Sequence, residues 1–153
     1  MKKKFLFTIG IFFIGLVIGI VVTVIVIEQC GKITQEIGSL LQLAEIDLLV
    51  DSVCQTNEYN SAVILQEYKI RKIEDCENYI FDEEKKEILK TDKGIAHAKL
   101  YIIYNKRGED KLARQEYNKS FILLRDRYKL ESEDELQNII EMIKNQNKLW
   151  CKA

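Results

Sequence analysis

A chain of 153 residues, with 23 basic and 24 acidic side chains and a formal net charge of −1, has room for one domain. It holds no proline and seven glycines. With breakers so scarce and Leu, Ile, Glu, Lys and Gln so common, the composition predicts an all-α fold. Setting aside Lys2, Lys3 and Lys4 leaves 20 basic against 24 acidic residues, a net of −4, and such a mixed, mildly acidic surface has no electrostatic footprint for nucleic acid.

Residues 5–27 read FLFTIGIFFIGLVIGIVVTVIVI, a run without a charge. At 1.5 Å rise per residue it spans roughly 34 Å, enough for a ~30 Å hydrocarbon core. A cleaved signal peptide would carry about 7–15 apolar residues and then small ones at the cleavage site. Here the run is longer and ends Ile27-Glu28-Gln29-Cys30. The sequence therefore predicts a cytoplasmic tail at 1–4, a single-pass transmembrane signal-anchor in membrane lipid at 5–27, and an extracytoplasmic helical domain at 28–153. Lysines ahead of the anchor set its direction. They place the amino terminus in the cytoplasm and the domain in the periplasm, at a bacterial inner (cell) membrane. Gly15 and Gly19, continued by Thr23, form a small-residue stripe that lets two membrane helices pack as a homodimer, although glycine is also common in membrane helices at large.

Beyond the anchor, Ile33, Ile37, Leu40, Leu41, Ala44, Leu48 and Val53 recur at helical spacing and predict a helix from about Ile33 to Gln55. Thr56-Asn57 breaks it. A second helix, about Glu58 to Tyr79, carries Ala62, Leu65, Ile73, Cys76 and Ile80 near one stripe. Asp82 reads as the cap of a short helix through about Lys90, and Thr91-Asp92 as the cap of another through about Arg107. Gly108 closes that one, and Glu109 opens a helix to about Tyr128. Ser132-Glu-Asp-Glu135 spells a capping box, followed by Leu136, Ile139, Ile140, Ile143 and Trp150 on one face. Each helix is apolar on one side only, so the expected architecture is a small antiparallel bundle or a stack of helical hairpins.

Four widely spaced cysteines, Cys30, Cys54, Cys76 and Cys151, include no CxxC pair and stand far from the lone His97. A structural zinc site normally brings closely spaced ligands, so no metal is expected. On an exported domain the four suggest two disulfides; buried free thiols are the other reading. Alternating helices bring Cys30 near Cys76 and Cys54 near Cys151. Cys54 and Cys76 would lie at opposite ends of the second helix, ~33 Å apart, whereas a disulfide spans at most about 7 Å between Cα atoms.

Gly94 to Arg127 resembles a tetratricopeptide repeat, a 34-residue pair of antiparallel helices. Leu100 and Tyr104 fall at the repeat's leucine and tyrosine positions, and Gly108-Glu109 at its turn. Ala113, Tyr117 and Ser120 take the small, aromatic and small positions of its second helix. Tyr101 replaces a small residue, His97 stands where a tryptophan would be, and the closing proline is absent. Residues 41–73 give a fainter echo, with Asn57-Glu58 as the turn and Ala62 one position out of register. What the resemblance implies is a scaffold for protein or peptide binding.

Chemistry is hard to find. His97 is alone, no GxSxG surrounds a serine, no glycine-rich phosphate loop occurs, and Asp-Glu-Glu-Lys-Lys-Glu at 82–87 reads as a solvated helix face. No cofactor is expected. Of seven tyrosines, Tyr104 and Tyr117 are turned inward by the repeat pattern, and Tyr101 is the candidate contact for a partner. The expectation is a non-enzymatic, membrane-anchored interaction module whose partner is an envelope or membrane protein, as an adaptor or assembly factor. The alternative is a tethered immunity or exclusion protein that neutralises a toxin or phage component, and an enzyme stands behind both.

Overall fold

The computed structural model describes residues 2–78, 80 and 82–146; in the first helix the side chains at 2–19, 26, 27, 29, 30, 33 and 36 lie outside the description, as does that of 146. Five helices make up its regular structure: α1 Lys2–Gln55, α2 Tyr59–Glu77, α3 Glu83–Lys106, α4 Asp110–Tyr128 and α5 Glu133–Gln146. An all-α fold is what the scarcity of breakers predicts. The chain divides into two compact units, Met1–Gly38 and Ser39–Ala153.

The first unit is the amino-terminal part of α1. Ile20, Val21, Val22, Val24 and Ile25 are each more than half exposed, and Lys32 pairs with Glu28 at 2.8 Å one turn apart. Among the described residues, no helix is long and apolar enough to cross a membrane. This corrects the transmembrane anchor at 5–27, and with it the single-pass inner-membrane placement with a cytoplasmic amino terminus and a periplasmic domain. Nor is the apolar run a helix of its own: α1 continues through Glu28, Gly31 and Lys32 to Gln55.

In the second unit, the helices around α3 each turn a narrow stripe inward. Leu43, Ile46, Val50 and Cys54 of α1 are buried at helical spacing, and so are Ala62, Ile73 and Cys76 of α2, Ala113 and Leu124 of α4, and Leu136 and Ile140 of α5. α3 is the shared wall, packed against α2, α4 and α5. Most of these side chains join one core; Leu43, Ile73, Cys76, Ile80 and Leu89 form a smaller one beside it.

The sequence predicts a break at Thr91-Asp92, yet α3 runs straight through. Thr91 Oγ1 donates to the Glu87 carbonyl one turn back at 2.7 Å, which satisfies the hydroxyl inside the helix instead of at its end. Asp92 is occupied elsewhere, accepting from Lys69 Nζ. Asp82 does cap α3, accepting from the Glu84 amide at 3.0 Å. At the start of α5 the Glu135 carboxylate reaches back as expected, but it takes the Glu131 amide, at 2.6 Å, rather than that of Ser132.

Two helical hairpins result, α1/α2 and α3/α4, and three backbone bonds recur in matching positions of their turns. In the first, Asn57 N–H donates to the Cys54 carbonyl and Glu58 N–H to that of Val53, at 3.2 and 3.0 Å. In the second, Gly108 N–H donates to Asn105 and Glu109 N–H to Tyr104, at 3.1 and 2.9 Å. Asn57 and Gly108 share the left-handed region, with φ of 59° and 72°, which glycine and asparagine adopt most easily. Ala62 and Ala113 then donate to Glu58 and Glu109 in matching positions. Counted from the turn, Ala62 is thus in register with Ala113, not one residue out.

Candidate functional site

The α3/α4 hairpin closes on its smallest residues. A Cβ placed on Gly94 would lie 2.6 Å from Leu124 Cδ2 and 2.7 Å from its Cγ, so only glycine fits there. Ser120 Oγ donates to the Gly94 carbonyl at 2.9 Å, and Ala113 is 3% exposed. Across this seam His97 Nδ1 meets Glu116 Oε2 at 2.5 Å, both residues buried. Burial pushes the Glu116 carboxyl up, but hydrogen bonds from His97 and Lys119 outweigh it and hold the group below the usual glutamate range. The pair locks two helices together, and neither residue lines the cleft beside Tyr101.

Toward the turn the same two helices set Tyr101 against Tyr117. Their ring centroids are 5.2 Å apart and the planes meet edge to face at 66°, the geometry aromatic quadrupoles prefer. Tyr117 donates its hydroxyl to the Glu133 carbonyl at 2.6 Å, which fixes the start of α5 to α4. These contacts wall a cleft of about 370 Å³, into which Tyr101, Asn105, Asp110, Arg114, Asn118 and Asp134 face. That is the lower end of the size range of ligand sites. The lining offers amides that both donate and accept, one guanidinium, and an excess of carboxylates. Burial raises the Tyr117 phenol above the usual tyrosine range, and Glu133, Tyr101 and Asp134 raise it further.

Of the predicted inward tyrosines, Tyr104 is buried and Tyr117 half-buried. Tyr104 donates to Glu67 at 3.4 Å and lies under the Arg107 guanidinium at 5.7 Å. Tyr101 is half-buried and lies in the cleft wall. Cys54 and Cys76 are both buried, at the far ends of α1 and α2. Cys76 carries a free thiol. Its expected partner Cys30 and the carboxy-terminal Cys151 lie outside the described side chains, as do Gly15 and Gly19, while Thr23 is exposed. Among the described residues, no three metal-ligating side chains converge on a common point.

One feature has no counterpart in the predicted sites. Lys69, 1% exposed, is a core residue of α2. Its ammonium donates to Asp47 of α1 at 2.5 Å and to Asp92 of α3 at 2.7 Å. Lys99 of α3 adds a bond to Asp47 at 2.9 Å and stands 3.7 Å from Asp51. Burial works against the Asp47 carboxylate, but the charges of Lys99 and Lys69 prevail and hold its pKa below the ordinary aspartate value. Gln66, wholly buried one turn away, has no hydrogen-bond partner for either amide atom among the described residues. The signal was present in the sequence. The stripe Ala62, Leu65, Ile73, Cys76 skips a turn, and Gln66 and Lys69 fill it.

No protein-family model matches the chain, and no curated protein or solved structure matches it either.

Proposed function

We propose that the chain is a non-enzymatic protein-binding module, an adaptor or assembly factor, whose recognition surface is the cleft beside Tyr101. The observation that carries this reading is the Tyr101–Tyr117 pair in the wall of a polar cleft. Its ring is large and amphipathic, and it is held by a close-packed hairpin, so little entropy is lost when it is covered. The likeness of residues 94–127 to a tetratricopeptide repeat supports the same reading, since such hairpins serve as binding scaffolds. The test uses a photo-crosslinking side chain at Asn118, on the cleft wall. Wild-type protein is expected to capture one protein reproducibly, and Tyr101→Ala to weaken that capture by about 1–2 kcal/mol, as interface aromatics do. Thermal unfolding of Tyr101→Ala should stay closer to wild type than that of Ala113→Leu, whose added bulk enters the seam. A Tyr101→Ala protein that unfolds as badly as Ala113→Leu makes Tyr101 a core residue and ends the reading.

A further inference from the structure

The cleft's charge is one-sided. Asp110, Glu133 and Asp134 line it against a single cation, Arg114. Asp110 lies in the first turn of α4, and Glu133 and Asp134 in that of α5. Acids there complement the helix dipoles, which accounts for their presence in the sequence. It does not account for all three facing one space with an aromatic ring in its wall. Burial raises the Tyr117 phenol, and Glu133 and Asp134 raise it further. Asn105, Asn118 and Gln137 add amide groups on all three helices, each able to donate to a carbonyl and accept from an N–H.

Resting on the reading of the cleft as a protein-binding site, we propose that its occupant is an extended basic segment, with an Arg or Lys side chain seated between the Tyr101 ring and the Asp110, Glu133 and Asp134 carboxylates. A cation over a tyrosine face is attracted by the ring quadrupole, and the carboxylates supply charge-assisted hydrogen bonds. The amides and Arg114 then meet the segment's main chain, which must be extended to present its donors and acceptors to three helices in succession.

The experiment titrates full-length, ¹⁵N-labelled protein with two dye-labelled, end-capped nine-residue peptides, one alternating Arg and Ser and the other Glu and Ser. The Arg peptide is expected to bind at least about tenfold more tightly, with amide shifts concentrated at 101–105, 110–118 and 133–137. Asp134→Asn should weaken it by roughly three- to tenfold. Tyr101→Leu, which keeps bulk but loses the π face, should weaken it about two- to fivefold, as expected for a partly exposed cation–π contact. If the Glu peptide binds as well and shifts the same residues, the cleft is a binding site but the basic occupant is wrong. Shifts scattered over other acidic surfaces and indifferent to Asp134→Asn also overturn the proposal. If neither peptide moves the cleft residues, the cleft reading falls with it.

Discussion

The two hairpins share a turn and differ in what fills the seam behind it. In α3/α4 the helices meet through Gly94, Ala113, Ser120 and Leu124, with a carbonyl close enough for a serine to bond. In α1/α2 the equivalent space holds the Lys69 stem and ammonium, and Asp47 and Asp92 come to it from the helices on either side. The α3/α4 seam also carries the His97–Glu116 pair, but its closest approach is one of shape, whereas the α1/α2 seam is centred on charge. A shape-held contact fails when volume is added and a charge-held one when a partner is removed, so the two hairpins should answer differently to mutation.

The largest effect is expected at Lys69. Lys69→Ala removes a buried stem, takes from Asp92 its Lys69 bond and leaves Asp47 with Lys99. Breaking a buried ion pair costs about 3–5 kcal/mol, and with both carboxylates about a third exposed a loss of about 2–4 kcal/mol is expected in denaturant unfolding. Lys69→Met, which keeps the stem, should recover part of it. If Lys69→Ala costs under about 0.5 kcal/mol, as at a surface site, the seam is not held by charge.

Next is Gly94→Ala. One methyl group must displace Leu124, itself fully buried, for a loss of about 1–3 kcal/mol. The same change at Gly38, where a Cβ meets nothing within 4 Å, is the control and should be neutral or mildly stabilising.

Acid tests the charged seam, although Glu116 of α4, also held below the usual glutamate range, contributes to the same limb. Asp47 has a lowered folded pKa, so the stability it confers is present above its unfolded value near 4 and is lost as pH falls below that toward the folded pKa. Urea midpoints measured down that acid limb should fall less steeply in Lys99→Met, which removes one of the two cations responsible. An unchanged limb would mean that Asp47 is not the group being titrated.

The smallest effect tests the likeness of the turns. Gly108→Ala places a Cβ in the left-handed region with no clash around it, and should cost about 1 kcal/mol by backbone strain alone. Gly108→Asn, which copies Asn57, should cost only a few tenths. Equal losses from both would show that the turns are alike in outline only.

Much of this fold is legible in the sequence, for reasons that differ from place to place. Thr56-Asn57 and Gly108-Glu109 mark the turns because the backbone there needs φ above zero and few residues accept it. Asp82 marks the start of α3 because its carboxylate has an amide to cap. Thr91 misleads, since the same hydroxyl that can cap a helix can also bond to the carbonyl one turn back, and only the tertiary partner of Asp92 decides between them. The apolar run at 5–27 misleads in another way. Periodicity and length say that a segment is apolar, but they do not say where its helix ends. At the candidate site, Tyr101 and Tyr117 are legible as aromatic residues on two successive predicted helices. Their cleft is not, because Asp134 and Gln137 reach it only through the docking of α5. Lys69 is hidden by its type: a mid-helix lysine is ordinarily solvent-exposed, and only the skipped turn in the α2 stripe gives it away.

The central place of α3 has a consequence for how the molecule opens. Its amide protons are covered by α2, α4 and α5, and Lys99 ties it to α1. Those of its buried stretch, 94–104, should meet solvent deuterons only when the whole second unit unfolds, so their exchange should report the global free energy. α5 reaches the rest through one face, Leu136 and Ile140, and through the Tyr117–Glu133 bond. It can lift away as a separate cooperative unit, and its amides should exchange sooner. One wall of the cleft is therefore the least protected helix of the core, so a ligand that spans α3, α4 and α5 would slow α5 exchange while leaving α3 unchanged.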